Sequence, residues 1–196
     1  KAPPTGRMSN WAAVAADHGG RGLILKVTFA VAEKIAAKRR PKVQPHAFTA
    51  GLLHDIGKVA LDQFIHSGFP LFYRECNLGE KNFSEVEKQL LGTDHTEVGE
   101  ELALNWSFPG SLVETIRHHH RPENATQHDA LVHIVYLADL LMSRFHSGLE
   151  MERLSTDSLA SRLAAIGLSI SEFPKLIDQI PINVLEASPE LALMSA

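Results

Sequence analysis

From Leu23 onward, apolar residues return every three or four positions, and no segment alternates strictly enough to require a strand, so the pattern predicts an all-α fold. The first helix runs from about Arg21 to Arg39. Ile24, Val27, Val31 and Ile35 form its apolar face, Pro41 stops it, and Lys38, Arg39 and Arg40 read as a solvated basic end at the negative pole of its dipole. A second helix, about Pro45 to Ile56, carries Pro near its start, with Gly57 expected as its left-handed terminator. Residues 58–92 predict three short helices, near Val59 to Ile65, Pro70 to Asn77 and Ser84 to Leu91, punctuated by Gly68, Gly79 and Gly92. Asp94 followed by Glu97 has capping-pair spacing and opens a helix to about Asn105; Pro109 opens another to about His119. A long apolar helix follows, about Gln127 to Phe145, and then two weaker ones, Thr156 to Ile166 and Ser171 to Leu185, the last kinked or ended by Pro181.

These elements divide the chain into an arm over residues 1–20, a helical core over 21–148 and C-terminal helices over 149–196 expected to pack on that core. The arm has Pro3, Pro4, Gly6, Gly19 and Gly20 around a short apolar patch at Trp11 to Ala16. The start at Lys1, without Met, predicts a processed form or a piece of a longer protein.

Composition narrows the function classes. The 196 residues, 44% hydrophobic and 21% charged, suffice to bury a core. Nineteen Lys and Arg against 23 Asp and Glu leave a net charge of −4, which excludes a nucleic-acid binder driven by phosphate contacts. No run approaches the ~20 apolar residues of a membrane span. The single Cys76 excludes an intramolecular disulfide and predicts a cytoplasmic, reducing setting; it has no sequence context for a nucleophile. Ser84 and Ser111 likewise lie outside any nucleophile motif, and Trp106 reads as a core residue.

The informative feature is the 11 His, three of them consecutive, together with the faces they occupy. Burying a charge without a partner is costly, so ionisable residues on apolar stripes point to chemistry. Asp55 lies seven residues after Phe48 and three after Leu52; His54 continues the small-residue face of Ala47, Ala50 and Gly51. His95 precedes Val98 by three and Leu102 by seven. The stripe Leu112, Val113, Ile116 continues onto His119 and His120 but not His118. Asp139 is the only formal charge in the apolar stretch Leu131 to Met142. One such residue alone is more often a satisfied core group. Six together, from four helices, suit a divalent ion such as Fe, Mn or Zn, whose charge would compensate the aspartates.

Four blocks in order, GLLHDIGK (51–58), GTDHTEVGEELALNW (92–106), IRHHHRP (116–122) and LADLL (137–141), resemble the HD superfamily of metal-dependent phosphohydrolases, and most closely its HDOD branch of bacterial signalling output domains. The resemblance implies an HD-type helical bundle with one or two divalent ions (Fe, Mn, Zn or Mg). Asp55 would bridge two positions, one using His54 and Asp139 with a histidine of the preceding helix, the other using His95, His119 and His120. The sequence departs from that pattern where the preceding-helix histidine should fall, at Val27; His18, nine residues upstream, is a weak substitute. The Gly-Tyr-Pro loop of the related cyclic-di-GMP phosphodiesterases is replaced by RPENATQH (121–128), which disfavours that activity, and only about twenty residues stand where HDOD domains carry several further helices.

Two functions follow from the resemblance. One is a signalling output domain that binds metal with weak or no catalysis and works with a sensor domain or other protein partner. The other is a phosphohydrolase acting on a nucleotide or phosphodiester, with Asp55 holding metal and Lys58 clamping phosphate.

Overall fold

The computed structural model describes residues 21–78, 82–145 and 156–178, without the side chains at 21–27, 29–30, 66–69, 73, 76–78, 142–145, 156–158 and 176–177. All regular structure among them is helical, as the periodicity predicts. Helix α1 (Arg21–Arg39) buries Thr28, Val31, Ala32, Ile35 and Ala36, one face at three- and four-residue spacing. Its basic end is more engaged than expected. Arg39 pairs with Glu172, and Arg40 Nη2 lies 3.5 Å from the Ala165 carbonyl, so both tie α1 to the C-terminal segment.

Helix α2 (Gln44–Leu53) begins with Pro45 in its first turn and buries only Ala47, Ala50 and Gly51. With no bulk on that face, α2 approaches α1 and the long helix α7 closely. Phe48 and Leu52, the residues whose phase suggested that Asp55 faces the core, are 40% and 38% exposed. Asp55 is nonetheless buried, because it sits with His54 in a two-residue turn between helices rather than on the α2 stripe.

Gly57 is not a helix terminator. The described glycines with positive φ are Gly92 and Gly167; Gly57 lies in the first turn of α3 (Ile56–Leu78), where a Cβ would stand 1.9 Å from the His95 carbonyl oxygen. This glycine permits backbone-to-backbone contact between α3 and α5. Helix α3 also replaces two of the three short helices expected here: it runs 23 residues through Pro70, because Leu61, Ile65 and Phe72 keep one buried stripe against Val86 of α4. Side-chain burial along the stripe outweighs the backbone hydrogen bond that Pro70 cannot make.

Helix α4 (Phe83–Leu91) opens with a capping box between Asn82 and Glu85 and closes at Gly92 (φ 78°). Asp94 caps α5 (His95–Asn105), accepting from the Thr96 and Glu97 N–H groups at 2.9 and 3.0 Å. Glu97 does not complete a second box; it turns to Lys88 and Thr93. Helix α6 (Gly110–His118) follows Pro109, and the Glu114 carboxylate on it accepts from the N–H groups of Thr126, Gln127 and His128, capping the approach to α7 (Asp129–Phe145). Helix α7 is buried almost all round from Leu131 to Leu141, apart from His133 and Asp139, and forms the centre of the larger apolar core. Leu163 of α8 (Thr156–Ala165), with Ile166 and Leu168, joins that same core. Of the last expected helix, Phe173–Ile177 (α9) is helical; residues 179–185, Pro181 included, lie outside the described residues, as does the arm over 1–20. Trp106, expected in the core, is 44% exposed and rests on Phe108 after the end of α5.

Candidate metal centre

The tertiary fold brings six residues from four regions together: His54 and Asp55 from the α2–α3 turn, His95 from the first turn of α5, His119 and His120 after α6, and Asp139 from α7. The ring centroids of His95 and His119 are 5.5 Å apart, those of His119 and His120 4.1 Å, and those of His54 and His119 4.9 Å. His95 faces inward on the His95, Gly99, Ala103 stripe rather than on the Val98, Leu102 line that the spacing suggested, since those two are only partly buried. The close contact of Gly57 with the His95 carbonyl explains that rotation. His118, His128 and His133 stay out of the cluster; His18, His146 and the side chains of Val27 and Cys76 lie outside the described residues.

Asp55 is the hub. Its Oδ1 lies 3.5 Å from His95 Nε2 and 3.4 Å from His119 Nε2; its Oδ2 lies 3.4 Å from His54 Nε2 and accepts from Lys58 Nζ at 2.8 Å. Asp139 Oδ1 lies 3.4 Å from His54 Nε2. The far side of each ring is fixed. His54 Nδ1–H donates to the Gly51 carbonyl and His119 Nδ1–H to the Ile116 carbonyl, both at 2.9 Å, so each Nε2 turns inward, that of His119 with its lone pair. Arg117, bonded to Thr96 Oγ1 at 2.8 Å and to Glu100 at 3.1 Å, holds α6 against the start of α5 and so keeps His95 in register with His119 and His120.

The electrostatics favour ligation on the His119 and His120 side of the cluster. Burial lowers the pKa of His119, helped by its His54 and His95 neighbours and only partly opposed by Asp55. Burial again comes first for His120, pushed well below the usual histidine range, with His119, His95 and Lys58 adding to it. Burial alone would raise Asp55, but His54 and Lys58 outweigh it and hold the carboxyl well below its ordinary value. Burial alone would lower His54, yet Asp55 and Asp139 raise it to about 9. Burial alone would raise Asp139, but His54, whose Nε2 lies 3.4 Å away, holds it below its ordinary value.

One ligand atom from each of Asp55, His95, His119 and His120 lies within 4.8 Å of all the others. Asp55 Oδ1, His54 Nε2 and His119 Nε2 are buried without a hydrogen-bond partner, a costly state that an ion between them would relieve. Three nitrogens and a carboxylate are a donor set that a borderline divalent ion accepts, so the residues fit a metal. Sequence reading missed Glu87. It is fully buried on the Phe83, Val86, Leu90, Leu91 side of α4, and its Oε2 lies 2.5 Å from His95 Nδ1. The stripe criterion that picked out the histidines identifies it once applied to α4.

Residues 26–122 match the HDOD domain family. The chain carries an HDOD domain. No curated protein matches the sequence. Among solved structures, this HDOD chain is similar to an HDOD domain protein from Geobacter sulfurreducens, with TM-score 0.68 and 24% identity over 92% of this chain and 67% of the other. It is similar to a proposed signal transduction protein from Marinobacter aquaeolei VT8 (TM-score 0.63, 21% identity, 98% of this chain and 40% of the other). It is also similar to a proposed phosphohydrolase from Shewanella amazonensis SB2B (0.60, 22%, 86% and 62%). The HDOD chain thus spans less than two thirds of the Marinobacter and Shewanella proteins, and at these identities the likeness is one of fold.

Proposed function

We propose that this chain is a bacterial, cytoplasmic signal-transduction output domain of HDOD type that binds a divalent metal through Asp55, His95, His119 and His120 and has weak or no hydrolytic activity. The observation that carries the reading is the convergence of four ligand atoms within 4.8 Å around buried polar atoms that lack hydrogen-bond partners. The His54/Asp139 half is the weaker position. The family pattern expects one more histidine there, and the sequence has Val27.

A bound ion would supply Lewis-acid polarisation of water or of a phosphoryl oxygen. The chain's own residues set the limits on that chemistry. Asp55 uses both oxygens within the cluster, and Lys58 sits on Oδ2, where it either neutralises the carboxylate or turns to an incoming phosphate. That lysine favours the second reading, a phosphohydrolase acting on a nucleotide or phosphodiester. Partner binding to a sensor domain or other protein belongs to the first. No helix among the described residues is long and apolar enough to cross a membrane.

The test is metal content and turnover of an activated phosphodiester with Mn, Fe or Mg, for wild type, Asp55→Ala and Val27→His. The expected result is one ion per chain, lost in Asp55→Ala, with at most weak turnover, and a second ion together with a rise in rate in Val27→His. Loss of the second ion in two-metal catalysis removes several kcal/mol of transition-state stabilisation, on the order of a thousandfold in rate. Ordinary enzymatic turnover by wild type that disappears in Asp55→Ala establishes the hydrolase instead.

A further inference from the structure

Glu87 is fully buried, and among the described residues His95 is its only ion-pair partner. Its Oε2 accepts from the His95 backbone N–H at 2.9 Å and lies 2.5 Å from Nδ1 of the same residue, while Oε1 is buried without a hydrogen-bond partner. A carboxylate in such a place is costly unless positive charge is delivered to it. The ring of His95 is the path for that charge. Its Nδ1 meets Glu87, and its Nε2 meets Asp55 Oδ1 at 3.5 Å and His120 Nε2 at 2.9 Å.

We propose that Glu87 is a positioning residue: it takes the Nδ1–H bond of His95, fixes the lone pair on Nε2 and strengthens that nitrogen as a ligand for a divalent ion. The inference rests on the metal-binding reading above. His54 and His119 hand their Nδ1 protons to neutral carbonyls, so His95 alone of the three has a carboxylate behind it. The donor set of three imidazoles and one carboxylate is rich in nitrogen, which favours Zn or Fe(II) over Mg. A purely structural Glu87 would need only the backbone bond, which caps the first turn of α5, and would be indifferent to the His95 tautomer.

The experiment uses the full chain labelled with 15N-histidine, long-range 1H–15N correlation spectra without and with Zn2+, and Zn2+ affinity by competition with a chromophoric chelator. The expected spectrum has His95 protonated at Nδ1 and bare at Nε2, with the Nε2 signal shifting on Zn2+ addition. Glu87→Gln should weaken Zn2+ binding by about 10- to 100-fold in wild type and leave it within about twofold in a His95→Ala background. A wild-type His95 protonated at Nε2, or an equal loss from Glu87→Gln with and without His95, overturns the proposal; the wild-type spectrum decides if Glu87→Gln does not fold. Wild type that binds no Zn2+ overturns the metal reading as well, whereas tight Zn2+ binding unaffected by Glu87→Gln overturns only the role of Glu87.

Discussion

Residue by residue, the cluster is a balance between burial and charge, and that balance sets a pH dependence for the metal-free protein. His119 and His120 have pKa values lowered by burial, so the unfolded chain binds protons more readily than the native one. Their contribution to stability is complete above the unfolded value of about 6.5 and is lost as pH falls below it. His54 has the opposite sign: raised to about 9 by Asp55 and Asp139, it contributes stability that is complete below the unfolded value and is lost as pH rises through about 9. Urea unfolding in chelator should therefore give a stability profile that declines on both sides, and His119→Gln should flatten the acid limb. A wild-type profile that is flat from pH 5 to 9 would contradict the proton balance assigned here.

At the scale of elements, two glycines of different origin give contrasting expectations. Gly57→Ala places a Cβ 1.9 Å from the backbone carbonyl of His95, so α3 and α5 must separate. The cost should be about 3 kcal/mol or more in chemical denaturation, with weaker metal binding, because His95 moves with its helix. Gly92→Ala meets nothing within 4 Å and is strained only by its φ of 78°. It should cost about 1–2 kcal/mol and leave metal affinity unchanged. Asp94→Ala removes the acceptor for the Thr96 and Glu97 N–H groups and should cost about 1 kcal/mol, measured the same way.

For the whole molecule, a site that exists only in the folded state links metal to stability. At a free metal concentration of 100 times Kd the gain is about 2.7 kcal/mol, which for a chain of this size corresponds to a rise in Tm of about 5–10 °C. Differential scanning calorimetry with Zn2+ and then with excess chelator should show that rise and its reversal in wild type, and neither in Asp55→Ala. The cluster joins turns and helices far apart in sequence, from His54 to Asp139, so metal should stabilise global rather than local unfolding. Hydrogen exchange should slow in α2, α5 and α7 together.

The sequence by itself determined the all-α class, the first helix, the capped start of α5 and the inward placing of His54, His119, His120 and Asp139, because apolar periodicity and the cost of burying charge are local properties read along one chain, whereas the α2–α3 turn and the Gly57 contact are what turn Asp55 and His95 inward. It also misassigned details that depend on neighbours. Gly57 resembles a terminator until the His95 carbonyl is placed against it, and Pro70 resembles a break until Leu61, Ile65 and Phe72 are seen to share one buried stripe. Phe48 and Trp106 read as core but lie exposed, since apolar character does not say which face finds a partner. Only the tertiary structure decided that Glu87 stands behind His95, eight residues away across the α4–α5 turn, because that contact depends on the angle between two helices and not on the spacing within either.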